Sequence, residues 1–240
     1  LISGGGSSLL TLPRNNIKLA DLIESTRLLL RAGATIKEIN TIRKHLSDVK
    51  GGGLARLTYP AESMSLILSD VVGDPLDVIA SGPTVPDTST FEDFENIVNR
   101  YKLELPASIK YLLADGLTGR VKDTPKPLYP IFNRCHHHLI GNNSLALSKA
   151  QTKASELGYH TLILTSYLTG EASEIAKFFA AVAKEEKTKG QPVTTPACIL
   201  AGGETTVTVT GDGKGGRCQE FALSFALDVS GMENIKLLAA

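Results

Sequence analysis

The glycine-dense stretch AGGETTVTVTGDGKGGRCQEF, residues 201–221, constrains the fold of this chain more than any other feature. Glycine at that density lets the main chain approach a ligand closely and turn its N–H groups outward. Between the two glycine clusters, residues 205–210 read TTVTVT, with Val207 and Val209 on one face and Thr206, Thr208 and Thr210 on the other. That alternation predicts a strand with one solvated face, an antiparallel edge or hairpin arm. From Arg217 onward, Phe221, Ala222, Phe225 and Ala226 recur near the helical period, so a helix begins there. Two glycine loops joined by a strand, the second ending at a helix N-terminus, suit an anion, because unpaired N–H groups and the helix dipole both favour negative charge. Candidate ligand contacts are Gly202, Gly203, Glu204, Thr205, Lys214, Gly216 and Arg217.

Bulk properties narrow the ligand class. Lys and Arg number 25, Asp and Glu 25, and the basic residues are spread out, which argues against nucleic acid or a polybasic membrane contact and favours small molecules. No run of eighteen apolar residues and no signal peptide occurs, and Cys135, Cys198 and Cys218 contain no C-x-x-C pair. A soluble protein of a reducing compartment is expected, cytoplasmic, with mitochondrial as the alternative. At 240 residues and 42% hydrophobic content there is enough chain for one large or two ordinary domains. The chain starts on LIS, which reads as mid-strand, and stops on IKLLAA, a strand just beginning, so a piece of a longer protein is expected.

In the first half, Ser3, Gly4, Gly5, Gly6 and Ser7 follow a short strand and either bind a ligand through backbone donors or form a plain turn; no Walker A pattern follows. Residues 19–31 predict an amphipathic helix with Leu19, Leu22, Ile23, Leu29 and Leu30 inward and Gly33 as its stop. Thr35 and Glu38 fit a capping box for a helix burying Ile36, Ile39, Ile42 and Leu46. Asn40, Lys44 and Ser47 fall beside that stripe, with Arg43 at its border, either a solvated face or cations at a cleft edge suited to an anion. Residues 65–68 read as a buried strand delivering Asp70 and Asp74 to the carboxyl edge of a sheet. Two such aspartates can hold Mg²⁺ or take a proton from a hydroxyl, or simply shape a turn. A polar loop at 80–84 precedes a helix at 91–101 that Thr90 can cap, with Phe91, Phe94, Ile97, Val98 and Tyr101 apolar.

Residues 117–133 carry Gly119, Asp123, Pro125, Pro127 and Pro130 and read as a surface connection, with the domain boundary at 127/128. His136 and His138 could share a metal on one strand face, although no third ligand is evident. Beyond them, a helix ending at Gly158, a strand at 161–165, a helix at 171–187 packing Ile175, Phe178, Phe179 and Val182, and a strand at 198–201 alternate. The expected class is α/β, with three-layer Rossmann-like, mostly parallel sheets in two domains, 1–127 and 128–240, flanking a cleft, and some antiparallel pairing in the C-terminal half.

Four blocks in order, SGGGSS at 3–8, INTIRKHLSDVKGGGLA at 39–55, LSDVVGDPLDVIASGPTVPD at 68–87 and GGETTVTVTGDGKGGRCQE at 202–220, resemble the second class of glycerate kinases, whose C-terminal segment is called MOFRL. The resemblance implies transfer of a phosphoryl group from ATP to the 2-hydroxyl of D-glycerate, with Mg²⁺, giving 2-phosphoglycerate. Family members carry an upstream portion with an active-site lysine that nothing here matches, and the last block stops before the family's final loops. Cys218 stands where asparagine is usual.

Phosphoryl transfer asks for positioning and positive charge. The residues expected to supply these are Asp70, helped by Asp74, for the hydroxyl and Mg²⁺; Arg217 for the carboxylate or phosphoryl oxygens; Lys44 and Arg43 for added charge; and the two glycine loops for backbone donors. Glu204 either hydrogen-bonds a hydroxyl or binds the metal, or caps a turn, and Lys214 follows the nucleotide phosphates or is merely solvated. Two other classes stay open: an NAD-dependent oxidoreductase using Gly211, Gly213 and Gly216, against which the Thr/Val strand argues, and a non-catalytic binder of phosphorylated metabolites. Assembly into a homo-oligomer is left open.

Overall fold

The computed structural model describes residues 1–14 and 16–240. It divides into two compact units, Leu1–Asp70 with Asp74–Ile140, and Val71–Gly73 with Gly141–Ala240. Each is mixed α/β, and neither contains a helix long and apolar enough to cross a membrane among the described residues.

The first unit contains α1 (Gly6–Leu9), α2 (Leu19–Arg31), α3 (Ile36–His45), α4 (Gly53–Thr58), β1 (Ser63–Leu68), α5 (Phe91–Tyr101), α6 (Ala107–Leu117) and β2 (Cys135–Gly141). Both expected capping boxes form: the Thr35 hydroxyl accepts from the Glu38 N–H while the Thr35 N–H donates to the Glu38 carboxylate, and Thr90 and Asp93 repeat the arrangement at α5. β1 pairs with β2, and Ile2 bridges Ile67 in parallel on β1. Leu29, Ile42, Leu46, Phe94 and Ile109 are fully buried at the centre of the core beneath these helices.

Three expectations change here. The buried stripe of α2 is narrower than its sequence suggested: Ser25 and Leu29 face inward, whereas Leu19, Ile23 and Leu30 are exposed, because the helix lies against α3 along one edge. Ile36, in the first turn of α3, is likewise exposed. The proline-marked segment 117–133 is largely exposed, as a surface connection is, but it is anchored at its middle. Thr124 and Pro125 are among the fully buried side chains; the Thr124 hydroxyl donates to Asp87 at 2.9 Å, and the Asp87 N–H donates to the Pro125 carbonyl at 3.0 Å. The junction expected at 127/128 therefore falls inside the first unit, which β2 completes by pairing with β1.

The second unit contains α7 (Asn143–Glu156), β3 (His160–Glu171), α8 (Ala172–Lys189), β4 (Ala197–Thr206) and α9 (Arg217–Asp228). The Asn142 side chain caps α7 by accepting from the Leu145 N–H at 2.8 Å. β3 and β4 run parallel, from His160 opposite Ala197 to Glu171 opposite Thr206. α8 packs on α9 through Ala172, Ala176 and Ala180, whose small side chains admit Phe221 and Phe225; Phe178, expected inside, is exposed.

The TTVTVT stretch is corrected. Only its first two residues are strand, and they end the parallel β4 instead of forming an antiparallel arm. Beyond Thr206 the chain has no strand partner among the described residues: the Glu171 carboxylate accepts from the Thr208 N–H at 2.8 Å and from its hydroxyl at 3.2 Å. A side chain thus takes the backbone donor that a hairpin neighbour would have taken.

Candidate functional site

In the second unit, the end of β4 and the start of α9 bring together most of the residues the glycine stretch nominated. Gly203, opposite Leu168 in the β3–β4 register, has φ 154°, and a Cβ there would collide with the Leu168 backbone. Only glycine lets β4 keep its pairing at this point. Gly216 precedes α9 as its N-cap without a side-chain cap, and Arg217 is the first helical residue. The Arg217 guanidinium forms an ion pair with the Glu204 carboxylate, both about half exposed. A cavity of about 310 Å³ is lined by Gly202, Gly203, Glu204, Thr205, Arg217 and Cys218. A second hollow, of about 680 Å³, shares Glu204, Thr205, Arg217 and Cys218 and adds Gly215 and Gly216. Lys214 lines neither. Glu204 therefore does something the sequence did not reveal: it holds the arginine in place.

In the first unit, the loop of Gly4, Gly5, Gly6 and Ser7 is gripped from two directions. A Cβ on Gly4 would lie 2.6 Å from an Asp70 carboxylate oxygen, so Asp70, exposed just past β1, rests directly against the loop. At the other end the Ser7 carbonyl accepts from Arg43 Nη2 at 3.0 Å and from Lys50 Nζ at 2.6 Å. The Ser7 hydroxyl shares a 2.5 Å hydrogen bond with that of Ser81, which in turn lies 3.4 Å from Asn40 Oδ1. Ser3 contributes its carbonyl to the Gly6 N–H. Ala80, Ser81 and Gly82 have φ of 51°, 61° and 60°, three left-handed residues in succession. Such backbone costs on the order of 1–3 kcal/mol per non-glycine residue and gathers at functional sites.

Lys44 is occupied otherwise than the sequence implied. Its ammonium, nearly inaccessible, lies 3.2 Å from Asp87 and 3.6 Å from Asp77, so the face expected to be solvated or open to an anion is an internal ion pair. Beside it, buried His45 donates from Nδ1 to the Thr41 carbonyl at 2.7 Å and contacts Asp123 through Nε2 at 2.8 Å. Burial pushes the Asp123 carboxyl up, but the hydrogen bond and charge of His45 outweigh it and hold the group well below the usual carboxylate range. Sequence reasoning missed Lys50, Asp87 and this pair. The lysine standing before three glycines was the one local signal for Lys50; nothing local marks the others.

Asp70 and Asp74 supply two carboxylates, and no group of three or more His, Cys, Asp or Glu able to hold a metal ion occurs among the described residues. That set does not make a protein cage for a resident ion. Two carboxylates are the number that Mg²⁺ arriving with a nucleotide asks of a protein, its shell being completed by phosphate oxygens and water. Of the three consecutive histidines, the half-buried His137 bonds Thr84 at 2.9 Å, while His136 and His138 are exposed.

Both units are α/β, and each carries a glycine loop with an arginine beside it, Arg43 at Ser7 and Arg217 at Gly216. Comparison with known proteins makes this narrower. Residues 1–114 match the family described as a domain of unknown function, DUF4147, and residues 197–240 match the MOFRL family. A protein of Thermotoga maritima named D-glycerate 2-kinase is 45% identical over all of this chain and 55% of its own length. An Agrobacterium vitis protein carrying the provisional name hydroxypyruvate reductase is 42% identical over all of this chain and 60% of its own. The crystal structure of a glycerate kinase from Thermotoga maritima superposes with a TM-score of 0.84 at 45% identity, covering 97% of this chain and 53% of that one. The chain is a homologue of the second-class glycerate kinases, and it spans about half the length of the relatives it matches.

Proposed function

We propose that the complete protein is an ATP-dependent glycerate 2-kinase. The γ-phosphoryl group of ATP passes to the 2-hydroxyl oxygen of D-glycerate; the bond to the departing ADP breaks, and the hydroxyl proton leaves to a carboxylate. What supports this reading is the convergence of Gly202, Gly203, Thr205 and Arg217 on one hollow, in a chain 45% identical to a protein of that name.

Asp70 is assigned to orient the hydroxyl and accept its proton, since it is exposed beside the Gly4 loop. Arg217, held by Glu204, turns its fork to the substrate carboxylate or the phosphoryl oxygens. In the first unit the loop residues Ser3, Gly4, Gly5, Gly6 and Ser7 offer backbone donors and Arg43 adds charge behind Ser7; in the second, Gly202, Gly203, Thr205 and Gly216 are assigned the same role. Lys44 supports α3 from inside, and Lys214 follows the nucleotide at the rim. Asp70 with Asp74 would hold Mg²⁺ brought in with ATP, and the ion would supply neutralisation of phosphate charge there.

The test is ADP release with D-glycerate as acceptor. Arg217→Ala in the complete protein is expected to lower kcat/KM by about 10²–10³ while leaving the melting temperature within a degree or so, because the side chain is half exposed. Near-normal turnover would remove Arg217 from the mechanism.

A reductase reading is prompted by the provisional name of the Agrobacterium relative and by Gly211, Gly213 and Gly216. The geometry weighs against it: β4 ends at Thr206 and α9 starts at Arg217, so these glycines do not form the tight strand-to-helix turn that a dinucleotide site needs. NADH oxidation with hydroxypyruvate, measured on the same preparation, decides between the two.

A further inference from the structure

We propose that Lys50 is a positioning residue for the glycine loop, clamping the carbonyl end of α1 and, with Arg43, setting the positive charge that the loop offers to a phosphoryl or carboxylate group. This rests on the reading that the loop at Gly4, Gly5, Gly6 and Ser7 receives such a group.

The loop cannot hold itself. α1 is a single turn, Gly6–Leu9, too short to persist on its own hydrogen bonds, and its terminal carbonyls lack helical partners. Lys50 supplies them: its Nζ donates to the Ser7 carbonyl at 2.6 Å and to the Leu10 carbonyl at 2.8 Å. Arg43 joins it on Ser7 at 3.0 Å. Lys50 itself is seated firmly, since the N–H groups of Gly51, Gly52 and Ala55 donate to the carbonyls of Ser81, Gly82 and Pro83. The left-handed turn that presents these carbonyls also brings the Ser81 hydroxyl to Ser7.

This lysine is an unusual thing to bury. It is only 4% exposed, and among the described residues neither it nor Arg43 forms an ion pair with a carboxylate. The surrounding acids are engaged elsewhere: Asp87 and Asp77 with Lys44, Asp48 with Arg56, and Asp70 at the far end of the loop against Gly4. Burial first, and the Arg43 charge second, push the ammonium down to about 8. A lysine whose folded value lies below its unfolded one opposes folding at full strength below about pH 8, and that penalty fades as pH rises toward the unfolded value. Two neighbouring cations without a counter-ion therefore reduce stability, which a purely structural position would avoid with a carboxylate or an apolar side chain. They suit a position whose counter-ion is a ligand.

The experiment compares wild type, K50M and K50R in the complete protein. Hydrogen exchange at pH 7 reads the clamp directly through the amides of Ser8, Leu9 and Leu10, which bond to the Gly5 and Gly6 carbonyls. In K50M they are expected to exchange about tenfold faster or more, with α5 unchanged. Kinetics with ATP and D-glycerate from pH 6 to 10 read the consequence. K50M is expected to lose about thirtyfold or more in kcat/KM, mostly through KM, with a melting temperature unchanged or raised. Wild type is expected to decline above about pH 8, and K50R, which stays charged, to keep its activity about one pH unit further. Wild-type exchange rates in K50M overturn the clamp, and K50M activity within threefold of wild type overturns its role in the site. If K50M does not fold, a K50R alkaline limb identical to that of wild type overturns the proposal. If wild type does not turn over D-glycerate at all, the kinase reading fails, and the exchange rates alone decide the clamp.

Discussion

Replacing Asp87 by Ala tests how the buried charges under α3 are held. Asp87 is 2% exposed and accepts from Lys44 Nζ at 3.2 Å, from the Ser89 hydroxyl at 2.8 Å and from the Thr124 hydroxyl at 2.9 Å. Its removal leaves the Lys44 ammonium enclosed, with only Asp77 at 3.6 Å, and that partner is more than half exposed. An exposed pair contributes about 0–1 kcal/mol, whereas stripping one partner from a buried pair costs about 3–5 kcal/mol. A loss near 4 kcal/mol is therefore expected, roughly a 1.3 M or larger fall in the urea midpoint for slopes of about 1–3 kcal/mol per molar. Burial raises the Asp87 carboxyl, but Lys44, Ser89 and Thr124 more than offset that and leave it below its usual value. Its stabilisation is thus present above the ordinary carboxylate range and is lost as pH falls through the lowered value, so the gap between wild type and Asp87→Ala should close in acid. The double variant Lys44→Met with Asp87→Leu should recover most of the loss, because both charges then leave together. A single-variant cost under about 1 kcal/mol, or a double variant no better than either single one, would refute the reasoning.

Two further outcomes are expected. Gly203→Ala should destabilise the second unit by about 3 kcal/mol or more, since both its φ and the Leu168 backbone forbid a Cβ; Gly213→Ala, where nothing lies within 4 Å, should change the urea midpoint little. If Asp70 and Arg217 serve one phosphoryl transfer, the combined loss in kcat/KM for Asp70→Asn with Arg217→Ala should fall well short of the product of the single losses, and full multiplication would place them in separate steps.

What the sequence revealed follows from which interactions are local. Caps at Thr35 and Thr90 and the helices they start were legible because N-cap and N3 residues lie three apart. The grouping of Gly202, Gly203, Glu204, Thr205, Gly216 and Arg217 was legible because a strand end and the next helix start are neighbours in the chain. The fate of residues 207–210 was not: alternation records two faces but not whether a partner strand exists, and here Glu171, from the end of β3, takes that place. In the sequence Lys44 reads as part of a solvated face or a cleft edge, and Lys50 as the residue that closes α3 before three glycines. Their burial comes from segments 77–87 and 7–10, tens of residues away, and no periodicity around a lysine reports such closure. The alanine seam of α8 was hidden for a related reason, since its phenylalanines dominate the apolar pattern while the close helix contact falls to Ala172, Ala176 and Ala180.

Phosphorus NMR of the complete protein incubated with Mg·ATP and D-glycerate tests the central claim most directly. The account predicts ADP and 2-phosphoglycerate appearing in equal amounts, with no NADH consumed when hydroxypyruvate is offered instead. Phosphate on the 3-hydroxyl, or reduction of hydroxypyruvate without any phosphoglycerate, would contradict it.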